Sequence, residues 1–474
     1  MIQQRLKNGF LLILALGLMG WTGFFPGAKA FAEEKGIKIL TLEEARRIAL
    51  EKNKDIQKAR EYRSLLEGKY VEERAAALPQ LQATGNIYRN RDESQRAFAQ
   101  GLFPLQSETR SLEVSLSQAL YTFGQVGAAI RAAKVGLTTA DDQLKIFQQA
   151  AIRDVSAAFY DILLARELYT LAVQTLEQKI RHLDEARRKY AAGIATEYDV
   201  LAAQVAVENA RPEVIRKENL IRTSREKFRF LLGLEGQEVD VKGTIEPPFA
   251  PYPQYEEVVQ TAWKNRPELS DQHKRVEIVR ELVKIYDAGD KPRLDFKASY
   301  GWRELILGAE KGDGQAWTAG LFLSFPFFDG MRSRGKVTQA KSDVATLKIE
   351  EAKLKDSISL QVRDAVNACR EAGEIVKALA GTVKQAERLL FMAEKGYEYG
   401  VKTKLDVDDA ELNLTQAKGN MVRARRDYLV ALVTFDWVKG TLGEKVRSDS
   451  FGVRSKTISE EEGKQLREEK GRGI

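Results

Sequence analysis

A long stripe of apolar residues runs through the first half of the chain. Its members recur every three or four positions: Ile152, Val155, Phe159, Ile162, Val173, Leu176, Ile180 and Leu183. This spacing is typical of helices that pack as coiled coils. No proline interrupts residues 105–211. We therefore expect one helix from near Ala128 to Tyr190, about 95 Å long at about 1.5 Å per residue.

A turn and a shorter returning helix follow this long helix. Gly193 is expected to end the long helix, and Thr196 or Asp199 to cap the next one. The return helix should run from about Glu197 to Leu232, and a bend is plausible where Pro212 lies inside it. The pattern predicts a helical hairpin.

The same hairpin recurs 207 residues later in the chain. The stretch KYAAGIATEYDVLAAQ at 189–204 matches GYEYGVKTKLDVDDAE at 396–411. The match extends without net insertion over about 120 residues, as far as Gly233 and Gly440. A repeat of this length indicates two copies of one structural unit.

A helix is expected upstream of the strands in the first copy. Residues from Thr41 to about Ala76 are rich in Glu, Ala, Arg, Lys and Leu, and Thr41 with Glu44 forms a capping-box pattern. We expect one helix of about 36 residues here, ended by Pro79. Stacked end to end with the return helix, it would match the length of the long helix.

Strict alternation of apolar and polar residues predicts two strands per copy. The apolar positions are Leu81 to Ile87 and Leu112 to Leu116 in the first copy, and 294–302 and 317–325 in the second. As far as the start of the first strand, at Leu81 and Leu294, the copies match at an offset of 213 rather than 207. The difference of six residues must lie between about 90 and 112, in a polar stretch that we predict to be a loop.

Strands of roughly ten residues are long enough to cross a bilayer when tilted. Four strands per chain cannot close a membrane barrel, so this interpretation requires an oligomer. A trimer gives twelve strands and a lumen, whereas a dimer gives eight strands and a filled interior. Aromatic residues in and next to the predicted strands could lie at the two membrane interfaces or, alternatively, form the core of a small soluble sandwich. They are Tyr88, Tyr121, Tyr300, Trp302, Trp317, Phe322 and Phe328.

Composition narrows the class of protein. Residues 1–30 have a basic start, an apolar run of 16 residues and a small-x-small site, the layout of an export signal or, alternatively, of an uncleaved anchor. Without them the net charge falls from +7 to +4, which does not favour nucleic acid. Cys369 is the sole cysteine, and only His182 and His273 are histidines, so neither a disulfide nor a histidine metal site is expected. We expect no cofactor and no enzyme activity.

These features divide the chain into five parts. We expect a signal peptide at 1–30, a first repeat at 31–245, a proline-rich linker at 246–254, a second repeat at 255–447 and a charged tail at 448–474. After the signal, no apolar run approaches 18 residues, so a spanning helix is not expected.

The chain resembles the TolC-like outer-membrane efflux proteins over nearly all of the exported sequence. The resemblance rests on LTLEEARRIALEKNKDI at 40–56, LPQL at 78–81, LSQALYTFG at 116–124, LSFPFFDG at 323–330 and the two Tyr-x-x-Gly-x-x-Thr-x-x-Asp-Val turns. It implies a homotrimer in the outer membrane of a Gram-negative bacterium, in contact with its lipid. Twelve strands would form a barrel above a long helical barrel in the periplasm. It further implies an exit duct for efflux or type I secretion that docks to a periplasmic adaptor and an inner-membrane transporter.

The resemblance also implies a gate at the periplasmic end. By position, Asp406 and Asp409 correspond to an acidic ring, with Tyr397 and Lys402 as closing contacts. Three chains would present six carboxylates, which should favour cations and raise one another's pKa. Asp406 has an equally good explanation as a helix-capping residue, because Asp199 matches it. The family pattern has Leu where this chain has Asp408, which leaves the direction of these carboxylates open.

The two hairpin turns are the expected surface for the adaptor, or simply tight turns that need glycine. Their residues are Gly193, Ile194 and Thr196 in the first copy and Gly400, Val401 and Thr403 in the second. A soluble periplasmic adaptor is the alternative function, since adaptors also contain helical hairpins. The sequence does not indicate which substrate would be transported.

Overall fold

The computed structural model describes residues 37–93, 106–248 and 254–443. The expected signal at 1–30, residues 249–253 of the linker and the tail at 448–474 lie outside the described residues. The elements in chain order are β1 (Lys38–Leu40), α1 (Leu42–Lys52), α2 (Lys54–Ala75), β2 (Gln80–Arg91), β3 (Gln106–Tyr121), α3 (Gln125–Ala191), α4 (Glu197–Leu232), β4 (Val239–Val241), α5 (Tyr255–Asn265), α6 (Pro267–Asp287), β5 (Arg293–Leu307), β6 (Glu310–Ser324), α7 (Arg332–Glu398) and α8 (Lys404–Val438). In the described part of the chain, none of these helices has a stretch that is apolar over a membrane-spanning length.

The two long hairpins are present as predicted. Helices α3 and α7 each have 67 residues, about 100 Å, and α4 and α8 return beside them. The apolar stripe of α3 is buried at Ile152, Val155, Phe159 and Ile162, so burial of this stripe joins the helices. Pro212 lies within α4, which continues through it.

The prediction of one helix from Thr41 to Ala76 is wrong, because the chain breaks at Asn53 between α1 and α2. The capping box of Thr41 and Glu44 does begin α1. The Asn53 side chain then caps α2 by accepting from the backbone N–H groups of Asp55 and Ile56. It also donates to the carbonyl of Leu231 at 2.8 Å. The break thus allows Asn53 to contact α4, and the spacing of residues in the sequence did not indicate this contact.

A glycine just after each return helix lies against the break between two helices in its own copy. Gly233 has φ +68°, and a Cβ there would collide with the carbonyl oxygen of Lys52. In the second copy, Gly440 has φ +74°, and its Cβ would lie 2.8 Å from the carbonyl oxygen of Asn265. Only glycine combines this backbone conformation with so close an approach. The return helix therefore ends where α2 or α6 begins, which confirms the expected end-to-end stacking.

The four long strands form one antiparallel sheet in the order β2-β3-β5-β6. They include the predicted strands, except that β6 ends at Ser324 rather than Phe325, and they extend to between 12 and 16 residues. The pairing Val114↔Tyr300 joins the two halves of the chain at the centre. β2 and β6 are the outer strands, and each has a strand neighbour on one side only within the described residues.

The sheet has one apolar and one polar face. Register partners on the apolar face are Leu81, Ala83 and Ile87 of β2, Leu112, Val114 and Leu116 of β3, Tyr300 and Trp302 of β5, and Trp317, Leu321 and Leu323 of β6. The other face carries mainly Ser, Thr, Asn, Gln and Gly, together with Tyr88, Phe322 and charged residues such as Glu113, Lys297 and Arg303. Of the expected interfacial aromatics, Tyr300, Trp302 and Trp317 thus share the apolar face, whereas Tyr88 and Phe322 do not.

A second, unpredicted sheet lies midway along the helices. β1 and β4 pair in parallel, and Leu40 and Val241 pack with Phe159 and Phe228 in the largest apolar core. Strands of three residues are too short for alternation to show in the sequence. This core joins α1, α3 and α4 at the level of the helix break.

Candidate functional site at the hairpin ends

The two hairpin turns have the same backbone structure. Gly193 and Gly400 both have φ +72°, and the N–H groups of Ile194 and Val401 donate at 2.8 Å to carbonyls five residues earlier. This arrangement ends the long helices at glycines in the left-handed conformation. Ile194 is 77% exposed and Val401 is 80% exposed, so each turn presents an apolar side chain to solvent.

Thr403 and Asp406 form a capping box at the start of α8. Asp406 Oδ2 accepts from the N–H and the Oγ1 hydroxyl of Thr403, both at 2.8 Å, and Thr403 Oγ1 accepts from the N–H of Asp406. Thr196 and Asp199 form the same box in the first copy. The open question of which residue caps each helix is resolved: the threonine is the N-cap, and the aspartate supports it three residues on.

Within the single chain, the pKa of Asp406 lies below its ordinary value. Hydrogen bonds from the backbone and side chain of Thr403, followed by one from Lys402, lower the pKa of Asp406 to about 2. Lys402 Nζ donates to Asp406 Oδ1 at 3.2 Å. The carboxylate is therefore held ionised by its own turn.

Asp409 differs from the acidic residues near it. Its side chain is exposed and makes no hydrogen bond or ion pair with any described residue. Asp408 instead approaches Lys404 at 3.3 Å and Lys179 at 3.4 Å. Among the three acidic residues at 406, 408 and 409, only the charge of Asp409 is uncompensated within the described chain.

Tyr397 contacts the first hairpin, whereas the polar partner of Lys402 within the described part of the chain is Asp406 of its own hairpin. The Tyr397 hydroxyl accepts from Lys189 Nζ at 3.3 Å, and the Lys189 ammonium lies 5.2 Å from the ring centroid. The stem of Lys402 lies over Gly396 on its own hairpin. Of the two closing contacts expected, the structure brings Tyr397 alone to the neighbouring hairpin of the same chain.

A buried ionic cluster that sequence reasoning missed joins α3 to α8. Glu411 is 4% exposed and accepts from Lys179 Nζ at 2.9 Å and Gln178 Nε2 at 2.6 Å. It also lies 2.7 Å from His182 Nε2. Lys404 Nζ lies 3.0 Å from His182 Nδ1. Because an ammonium can only donate, Nδ1 accepts and Nε2 carries the proton that it donates to Glu411.

A signal for this cluster exists in the repeat. Glu411, Lys179 and His182 occupy positions where the other copy has Gln204, Ala386 and Leu389. One copy thus has ionisable residues on both sides of this contact, whereas the matching positions of the other copy are neutral. This difference indicates that the residues pair with one another.

The cluster changes the acidity of Glu411. Burial acts to raise its pKa, but hydrogen bonds from His182 and Lys179 outweigh burial and lower the pKa to about 2. Since the folded value lies below the ordinary value of 4.5, Glu411 stabilises the fold above pH 4.5. That contribution is lost as pH falls towards 2.

Comparison with known proteins gives a consistent result. The profile of the family described as "Outer membrane efflux protein" matches residues 45–234 and 258–440. Outer membrane protein TolC of Vibrio cholerae is 24% identical over 78% of this chain and 84% of its own. Alkaline protease secretion protein AprF of Pseudomonas aeruginosa is 24% identical over 84% of each chain. The Campylobacter jejuni CmeC outer membrane channel superimposes with a TM-score of 0.75 over 90% of this chain and 93% of that one, at 14% identity.

Replacing Glu411 by Gln, the residue of the first copy, should destabilise the protein by about 3 kcal/mol at neutral pH, because Lys179 is left without its buried partner. Wild type should lose stability as pH falls below 4.5, and Glu411→Gln should lose the part of this dependence that Glu411 contributes. Thermal loss of the helical circular dichroism signal in detergent measures both. Asp409→Ala is the matched control. Asp409 is exposed and makes no polar contact with a described residue, so this substitution should change stability little. Equal melting of Glu411→Gln and wild type would contradict the assignment.

Proposed function

The chain belongs to the outer membrane efflux protein family, and we propose that three copies of it form one channel that carries substrate across the periplasm and the outer membrane. Members of this family are outer-membrane transport channels that work with periplasmic adaptors and inner-membrane transporters. Membership confirms the expected location in the outer membrane and the expectation that the chain is not an enzyme. The alternative of a soluble adaptor does not agree with it.

The observation that carries the proposal is the open, two-faced sheet. Among the described residues, the outer edges of β2 and β6 are unpaired. The strands are long enough to cross a bilayer, and one face is apolar until the ion pairs of Arg110 with Glu108 and Glu304 near its far end. In lipid, every unpaired backbone group costs several kcal/mol, so such a sheet must close. Closure by copies of the same chain satisfies both edges.

The polar face favours three copies over two. A barrel of eight strands fills its interior with side chains, whereas twelve leave a lumen. Small residues are frequent on this face, as shown by Ser111, Ser115 and Ser117 of β3 and by Gly314 and Gly320 of β6, although Tyr88 and Phe322 also lie there. Small polar residues cannot fill a barrel but suit a water-filled one.

The hairpin ends are proposed to hold both the gate and the adaptor surface. Asp409, whose charge is uncompensated, and Asp406, whose pKa is low, would supply the acidic ring at the narrow end. Tyr397 would hold the second hairpin against the first through Lys189. Ile194 and Val401 would provide apolar contacts for a periplasmic adaptor, on turns that also include Gly193, Thr196, Gly400 and Thr403.

Purified with detergent from the outer-membrane fraction, the protein should run as a trimer that dissociates on heating. Ala319→Arg, on the apolar face of β6, should destabilise that trimer by about 2–4 kcal/mol if it lies near the bilayer midplane. Thr318→Arg is the matched control on the polar face and should leave the trimer intact while altering its conductance. A monomer in the soluble periplasmic fraction, or equal damage by both substitutions, would contradict a lipid-facing barrel.

The gate is tested by ion selectivity in planar bilayers. Asp406→Ala with Asp409→Ala should reduce the preference for cations, because the carboxylates nearest the opening are removed. Asp199→Ala is the control, since it removes the same capping box from the first copy without touching the proposed ring. If Asp199→Ala changes selectivity as much as the double variant does, capping rather than charge at the opening explains the effect.

Adaptor docking is tested by adding charge to the turns. Ile194→Asp and Val401→Asp should each weaken cross-linking to the cognate adaptor in whole cells, because a buried carboxylate is costly in an apolar contact. The trimer should remain heat-modifiable. The control is Val205→Asp, because Val205 is also exposed but lies about 12 Å from the turn along α4. Full cross-linking of both turn variants would show that docking occurs elsewhere.

A further inference from the structure

Exposed aromatic side chains lie where the sheet meets the helices. Residues 325–328 read Phe-Pro-Phe-Phe and join the end of β6 to the start of α7. Phe325 is the next odd-numbered residue after the strand, so it continues the alternation of the apolar face. Phe327 is 87% exposed and Phe328 is 73% exposed. Aromatic side chains are typical of the boundary between hydrocarbon and water at the end of a membrane barrel.

The neighbouring strands bring further apolar side chains to the same level. Tyr121 at the end of β3 pairs with Leu294 at the start of β5, and Leu294 pairs with Leu323 of β6. Directly paired residues lie on the same face of a sheet. Tyr121 and Phe328 also occupy matching positions of the two copies. These side chains therefore end the apolar side of the sheet in an aromatic rim, made of Tyr121, Phe325, Phe327 and Phe328.

Three cations follow the aromatic rim at the start of α7. Arg332, Arg334 and Lys336 are exposed, and the first turn of the helix contains no acidic residue. Among the described residues, no carboxylate pairs with any of them, and Lys336 Nζ lies 5.5 Å from the ring centroid of Tyr286. The carboxylate just before the helix, Asp329, accepts instead from a backbone N–H of α7 at 2.8 Å.

These cations occur in the second copy alone. At the offset of 207 residues, the matching positions of α3 hold Gln125, Gly127 and Ala129. Helix α3 begins at the equivalent point without these charges, so the fold does not require them. Positive charge at the start of a helix also opposes the helix dipole, whose positive end lies there. An anion outside the chain is the partner that would make this arrangement favourable.

We propose that the aromatic rim and the three cations bind anionic phospholipid of the periplasmic leaflet, an inference that rests on the membrane barrel proposed above. The helices extend into the periplasm, so the start of α7 lies at that surface of the membrane. The rings contact the acyl chains near the headgroups, and the cations contact the headgroup phosphate. The guanidinium groups of Arg332 and Arg334 suit phosphate, which they can bind through two hydrogen bonds each.

The cations at the far end of the same face are balanced within the sheet. Glu108 accepts from Arg89 and Arg110. Glu304 accepts from Arg110 and also forms an ion pair with Lys311. These guanidinium and ammonium groups already have carboxylate partners on their own face, unlike the three cations at the start of α7. Charge complementarity with an anionic lipid is therefore strongest at the periplasmic end.

Lipid binding by the purified trimer tests this surface. Native mass spectrometry of the trimer in detergent, titrated with phosphatidylglycerol or phosphatidylcholine, gives the affinity for each lipid. Wild type should bind the anionic phosphatidylglycerol more tightly. Arg332→Gln with Arg334→Gln and Lys336→Gln should weaken that binding by roughly tenfold or more, because each cation near an anionic headgroup adds to the attraction. Binding of phosphatidylcholine should not change.

The matched control removes the same charge further along α7. Lys348→Gln with Lys353→Gln and Arg370→Gln replaces three exposed cations that begin about 24 Å from Arg332, and it should leave phosphatidylglycerol binding unchanged. A second variant separates the rings from the charges. Phe327→Ser with Phe328→Ser should weaken binding of both lipids alike, because the rings contact acyl chains that both lipids possess.

Two results would overturn the lipid-binding surface while leaving the channel intact. One is a heat-modifiable wild-type trimer that binds the two lipids equally well. The other is an equal loss of phosphatidylglycerol binding in the control and in the Arg332 variant, since general charge rather than the start of α7 would then explain binding. A wild-type protein that is soluble and monomeric would overturn the channel and the lipid-binding surface together.

Discussion

The outer edges of β2 and β6 present backbone N–H and C=O groups that no described strand of this chain pairs. Each such group in lipid costs several kcal/mol, so the apolar face of the sheet is useful only if both edges are closed. This requirement connects the features of the chain. It relates strand length to bilayer thickness and subunit number to lumen size.

A second constraint organises the helices: each return helix must meet the next helix end to end where the chain breaks between two helices. Gly233 and Gly440 let the return helices approach the backbone at Lys52 and Asn265, which no larger residue would permit. Asn53 satisfies the backbone groups exposed by the first break. As a result, a short helix and a return helix together accompany each helix of 67 residues.

Charge divides the hairpin ends into structural and exposed groups. Glu411 has its charge balanced by Lys179 inside the seam between α3 and α8, and Asp406 is engaged by Thr403 and Lys402. Of the three acidic residues at 406, 408 and 409, Asp409 alone has no partner among the described residues, and it is the strongest candidate of the proposed gate. In the proposed ring, one carboxylate per copy, that of Asp406, is therefore held ionised by hydrogen bonds from its own turn.

The sequence alone determined the elements whose signals are local. The stripe from Ile152 to Leu183 predicted α3, alternation predicted the four long strands, and both the threonine and the aspartate after each turn were predicted as candidate caps. Only the tertiary structure decided the break at Asn53, the short pair β1–β4 and the ion pair of Glu411 with Lys179. Each of these depends on residues more than 150 positions apart, such as Asn53 with Leu231 and Lys179 with Glu411. Periodicity within a window cannot contain such contacts, because their free energy comes from groups that meet only once the helices have packed.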